Sequence, residues 1–137
     1  MSLKNKESYL GNDRVKRDGV KHNFTKEEID EYVKCMEDPC YFARNYVKII
    51  SLDEGLVNFN LYDYQDRYLN HLNDNRFSIT LACRQSGKSI TSVVFILWYV
   101  TFHAEKTVAI LANKGATARE MLSRIALALE NLPFFLQ

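Results

Sequence analysis

The chain predicts an α/β fold, a parallel sheet with flanking helices preceded by a small helical N-terminal subdomain. Three observations lead there. Hydrophobic residues make up 47% of the 137, enough to bury a core. Apolar runs of strand length alternate with helical periods through the C-terminal half. No internal repeat or low-complexity tract interrupts that alternation.

Residues 1–24 read as a polar, mobile leader. From Ser2 to Lys26 basic residues outnumber acidic ones seven to three, and Gly11, Asn12, Gly19 and Asn23 leave little apolar periodicity. A basic arm touching DNA is the alternative for the same charges. The opening M-S-L-K-N-K-E carries no apolar stretch of the kind a secretory signal needs.

Residues 25–56 make the helical subdomain. Thr25 followed by Glu28 is a capping box, opening a helix through Ile29, Tyr32, Val33 and Met36. Pro39 stops that helix and can start another. The run from Pro39 to Ile50 places Phe42, Ala43, Tyr46 and Val47 on one helical face, which is most simply core packing. A turn is expected at Ser51 to Gly55.

Residues 57–137 hold the main core. V-N-F-N-L, Val57 to Leu61, alternates like a short strand, and Asp63 to Leu72 reads as a helix. Phe77 to Ala82 is expected as a buried strand, Ser89 to Ala104 as a helix, Thr107 to Leu111 as a strand and Ala116 to Asn131 as a helix. Strands and helices alternating at these lengths imply right-handed crossovers and a parallel sheet. The most apolar run, Ile90 to Phe102, falls well short of the roughly 20 residues a membrane span requires and reads as a core helix.

Charge and cysteines narrow the function classes little. A formal net charge of +1 gives no bulk electrostatic footprint for nucleic acid and does not exclude it. Cys35, Cys40 and Cys83 are odd in number and lack framework spacing, and His22, His71 and His103 never fall at zinc-site intervals. They read as three free thiols in a reducing compartment.

The chemistry gathers in one loop. Between the expected strand F-S-I-T-L-A and the apolar helix lies C-R-Q-S-G-K-S, Cys83 to Ser89. A phosphate-binding loop needs this setting, because backbone N–H groups at a helix N-terminus cradle phosphate oxygens. Lys88 supplies a point charge to the β/γ-phosphates, the Ser89 hydroxyl can ligate Mg²⁺, and Gly87 lets the backbone approach without a side chain in the way. Cys83, Arg84, Gln85 and Ser86 complete the loop. Ala82 stands where the full G-x-x-x-x-G-K-[ST] pattern has glycine, which makes this a variant loop. The structural alternative is a strand-to-helix turn with an incidental lysine.

C-R-Q-S-G-K-S resembles the R-Q-x-G-K-[ST] variant of tailed-phage large terminases, and L-Y-D-Y-Q, Leu61 to Gln65, looks like that family's adenine-recognition motif. D-P-C-Y-F-A-R-N-Y-V-K-I and A-N-K-G are similar to its T4-like branch, so that the resemblance runs from about Asp38 to Gln137. It implies a RecA-like P-loop ATPase that drives double-stranded DNA into a procapsid, with a nuclease domain following in the family. It further implies Mg²⁺ and ATP as cofactors, the small terminase subunit and the portal as partners, and the cytoplasm of an infected bacterial host as the setting. Carried onto this chain, Gln65 would read the adenine edge, Lys88 and Ser89 would hold phosphate and magnesium, and Arg84 would be a cis arginine finger. A salt bridge pinning the empty loop is the alternative for Arg84, and a solvated amide for Gln65. Tyr62, Tyr64 and Tyr68 could each stack on a base, and Tyr64 is the one expected beside the nucleotide; core packing accounts for most of the eight Tyr and eight Phe. Lys114 could contact DNA or another motor subunit, or sit in a solvated turn.

Hydrolysis in this class needs a strand-terminal carboxylate for Mg²⁺ and a second one to activate water. After Ser89 the acids are Glu105, Glu120 and Glu130, and none ends an expected strand. Nor do clustered acids supply a two-metal nuclease site. The expectation is therefore an N-terminal portion of the motor that holds nucleotide without turning it over and self-associates through uncovered sheet. Another RecA-type motor such as a helicase, or a nucleotide-binding module that never hydrolyses, would share these features.

Overall fold

The structure, a computed structural model, describes residues 7–51 and 53–137. Residues 1–6 of the expected leader and Leu52 of the expected turn lie outside the described residues.

Within the leader, β1 (Ser8–Tyr9) and β2 (Asn12–Lys16) pair as an antiparallel hairpin. The hairpin is fastened to the far end of the chain: Asn12 Nδ2 donates to Glu130 at 2.8 Å, and Gln137 Nε2 donates to the Arg14 carbonyl at 2.7 Å.

Helix α1 (Lys26–Glu37) begins where the capping box places it. The Glu28 N–H donates to Thr25 Oγ1 at 3.2 Å and the Thr25 N–H donates back to the Glu28 carboxylate at 2.9 Å, satisfying two N–H groups that an open helix end would leave unpaired. Asp38 ends α1 and starts α2 (Pro39–Tyr46): its own N–H donates to the Lys34 carbonyl, while its carboxylate accepts from the Cys40 N–H at 2.7 Å. Helix α2 stops at Tyr46, short of the expected Ile50, because Val47 turns to extended backbone and leads into β3 (Lys48–Ser51). Strand β3 pairs antiparallel with β4 (Gly55–Asn58), so the strand read at Val57 to Leu61 sits earlier in the chain. At the turn Gly55 has φ +74°, a conformation that costs a residue with Cβ.

Helices α3 (Asp63–Asp74), α4 (Lys88–Phe102) and α5 (Gly115–Glu130) follow, with a short 3-10 turn at Phe134–Leu136. Helix α4 lies at the centre, packed by α2, α3 and α5, and buries Thr91, Val93, Val94, Leu97 and Trp98. Around it gather Cys35, Cys40, Phe42, Ala43, Val47, Phe59, Leu69, Ala128 and Leu136. The buried Trp98 indole donates to the Cys35 carbonyl at 2.7 Å, a hydrogen bond that ties α4 to the end of α1. No helix among the described residues is long and apolar enough to cross a membrane.

The α/β expectation fails at the sheet. The described residues form a mostly helical domain of five helices with two isolated antiparallel hairpins, and no parallel sheet is present among them. Phe77 to Ala82 and Thr107 to Leu111 form neither helix nor strand and have no ladder partners. Ile79 and Leu81 are fully exposed and Leu111 is 91% exposed. An apolar run records that a segment gains by burial; it does not supply the neighbour. A helix closes its hydrogen bonds within itself, whereas a strand takes them from another segment, and neither of these two segments forms a ladder with any other described segment.

Candidate functional site

The loop from Cys83 to Ser89 is built by two residues at positive φ. Gln85 at +61° and Gly87 at +72° curl the backbone, and Gly87 then caps α4. No side chain caps this helix, so its first N–H groups meet no side-chain acceptor. The inside of the curl is drawn together on one oxygen, the Cys83 carbonyl, which accepts from the Lys88 ammonium at 3.1 Å and from the Ser86 hydroxyl at 3.0 Å.

Helix α3 brings the second wall. The Tyr64 hydroxyl donates to the Ser86 carbonyl at 2.8 Å across the gap between helix and loop. Gln65 is 3% exposed; its Oε1 accepts from the Tyr62 N–H at 3.0 Å and bridges the start of α3. The Gln65 amide nitrogen rests against Gly87, where a Cβ would collide with it. Glycine is therefore required there twice over, for its backbone angle and for the room. Tyr62 stacks on Tyr64, with ring centroids 5.7 Å apart and planes 8° from parallel.

Tyr64, Gln65, Tyr68, Leu81, Cys83, Ser86 and Lys88 line a cavity of about 470 Å³. Two groups expected from separate motifs, the tyrosine and glutamine of α3 and the lysine of the loop, thus face one space. Arg84, Gln85 and Ser89 are exposed and are not among the residues that line the cavity, and Arg84 makes no ion pair among the described residues. Lys114 is exposed just before α5.

Thr91 was not legible as a site residue. Buried on α4, its Oγ1 donates to the Gly87 carbonyl at 3.0 Å, holding the helix start one turn below the loop. A threonine two places after the loop serine in an otherwise apolar helix is the signal that could have shown it. Ser92 makes the same kind of bond to the Lys88 carbonyl and is also hydrogen-bonded by the Tyr68 hydroxyl at 3.0 Å, a further tie between α3 and the start of α4.

The three acids that follow the loop sit elsewhere. Glu120 pairs with Arg124 at 2.6 Å, Glu130 accepts from Asn12, and Glu105 occupies a turn at φ +59°. No group of His, Cys, Asp and Glu among the described residues is arranged to hold a metal ion. No known protein-family model matches the chain.

Proposed function

We propose that this chain binds ATP with Mg²⁺ at the Cys83–Ser89 loop, as the nucleotide-binding part of a DNA-packaging motor ATPase of the large-terminase kind. The observation that carries the reading is the shared cavity: Tyr64 and Gln65, Lys88 and Ser86 line the same space of about 470 Å³, within the range of small-molecule sites. The residues present fit the group. The loop is curled by positive φ at Gln85 and Gly87, the helix end behind it has no side-chain cap, and Lys88 rests on a carbonyl that phosphate oxygens can replace.

Bound Mg²⁺ would neutralise phosphate charge. Lys88 would exchange the Cys83 carbonyl for the β/γ-phosphate oxygens, and Ser89 would turn its exposed hydroxyl to the metal. Gln65 would offer its amide to the adenine edge while Tyr64 covers the base. Arg84, free of a competing carboxylate, would reach the γ-phosphoryl oxygens. Double-stranded DNA, the small terminase subunit and the portal enter as partners of such a motor through the sequence resemblance.

A second reading, binding without turnover, is favoured by the acids: Glu105, Glu120 and Glu130 are absent from the lining of the cavity. Titration of Mg-ATP by calorimetry should give binding that Lys88→Ala abolishes while the thermal midpoint of the mutant stays close to the parent. Unchanged affinity in Lys88→Ala would defeat the assignment. Steady hydrolysis by the parent chain that disappears in Lys88→Ala would defeat the second reading.

A further inference from the structure

We propose that the cavity between β2, α1 and the end of α4 binds a small monocarboxylate with an apolar body, its carboxylate on Lys16 and its body against Phe24 and Ile29.

The cavity has a volume of about 410 Å³, within the range of small-molecule sites, and shares no lining residue with the cavity beside the loop. Phe24, Ile29 and Leu136 make its apolar side. Two of these walls are uncovered, Phe24 at 44% exposure and Ile29 at 50%, and covering them with an apolar body is favourable.

An apolar wall alone names no occupant, whereas the charge beside it does. Lys16 is the one cation in the lining, and no Asp or Glu accompanies it there. Its ammonium donates to the Phe134 carbonyl at 3.2 Å, lies 5.3 Å from the centre of the Phe134 ring, and makes no ion pair among the described residues. Burial holds it below the usual lysine range, so an anion brought to it favours its charged form. Glu28 and Glu31, one residue before and two after Ile29, are already engaged: Glu28 accepts from the Thr25 N–H and pairs with His22 at 3.0 Å, and Glu31 accepts from Lys34, Tyr41 and Tyr46.

Two neutral donors stand in the same lining. The Tyr32 and Thr101 hydroxyls make no hydrogen bond among the described residues, while the Tyr32 ring is held edge-on to Phe24 and Phe102. One cation and two hydroxyls match a carboxylate, which carries a single charge on two oxygens and accepts several hydrogen bonds. A phosphate dianion would leave one charge without a partner. Because Lys16 belongs to β2, Tyr32 to α1 and Thr101 to α4, the occupant joins three elements through one group.

The probes are decanoate, with a chain for its body, and naphthoate, with a ring; decanol is the uncharged control. In an NMR titration of the full chain, at least one carboxylate should fill a single saturable site and move the Lys16 ε-methylene, Tyr32 ring and Thr101 methyl resonances together. Decanoate alone doing so assigns a chain-like body, and naphthoate alone a planar one. Decanol should bind about tenfold more weakly or worse, and Lys16→Met should weaken the carboxylate by a similar factor of about ten, since each loses a charge-assisted hydrogen bond. Failure of both carboxylates to move these three residues, decanol binding as tightly as the carboxylate, or unchanged affinity in Lys16→Met overturns the proposal. Should Lys16→Met not fold, the decanol comparison and the Lys16 resonances of the parent chain decide it.

Discussion

The two ends of α4 meet different surroundings. At its C-terminal end Trp98 and Phe102 lie among Phe42, Tyr32 and the end of α1, and Glu31 joins α1 to α2 by accepting from the Tyr41 hydroxyl at 2.8 Å and the Tyr46 hydroxyl at 2.7 Å. At its N-terminal end the chain arrives from Phe77 to Ala82, whose odd-numbered apolar side chains face outward. Both stretches are apolar in sequence. What separates them is where the backbone hydrogen bonds come from: a helix brings its own and packs with whatever face it has, while an extended segment depends on a second segment being alongside.

The largest contrast lies in truncation. Leu97→Ala, at a fully buried position on α4, should cost about 3 kcal/mol in urea unfolding, whereas Ile79→Ala should stay within about 0.5 kcal/mol of the parent. Equal losses at the two positions would break the comparison, because Ile79 would then be packed. A smaller effect is expected at the helix cap. Thr25→Ala removes one half of the capping box and should cost about 1 kcal/mol, while Thr107→Ala, exposed in the second segment that forms no strand, should cost less than about 0.5 kcal/mol.

The mildest test at neutral pH is acid titration. The hydrogen bond from Lys34, followed by those from Tyr46 and Tyr41, holds the Glu31 carboxyl down to about 2 from an ordinary 4.5. Since the folded state favours the ionised form, this contribution is complete above about 4.5 and is lost as pH falls toward about 2. Glu31→Gln should therefore flatten the fall of the thermal midpoint across that window. A mutant whose midpoint falls as steeply as the parent's would show that Glu31 does not link the two helices in solution.

Legibility in the sequence followed the same division. Thr25 with Glu28, Pro39, and the apolar run after Lys88 announced α1, α2 and α4 to within a residue or two at their starts, because caps and periodicity are local chemistry. The sheet was misread because Phe77, Ile79 and Leu81 specify a preference for burial without specifying a partner. The loop was readable from Gly87, Lys88 and Ser89. That Tyr64 would grip the Ser86 carbonyl, or that Gln65 would lodge against Gly87, required knowing how α3 crosses α4, which no spacing between residues 65 and 87 encodes.

Asp38 has a consequence of another sort. One residue belongs to two helices, closing α1 with its N–H and opening α2 with its carboxylate, so there is no slack between Glu37 and Pro39. A single inserted residue there must either sever the shared cap or turn α2 by about 100°, the rotation one residue makes along a helix. Either way Phe42 and Ala43 would leave their places beside α4. This corner is therefore a point at which the length of the chain is under tighter restriction than its composition, and where insertions and deletions should be the rarest changes the fold survives.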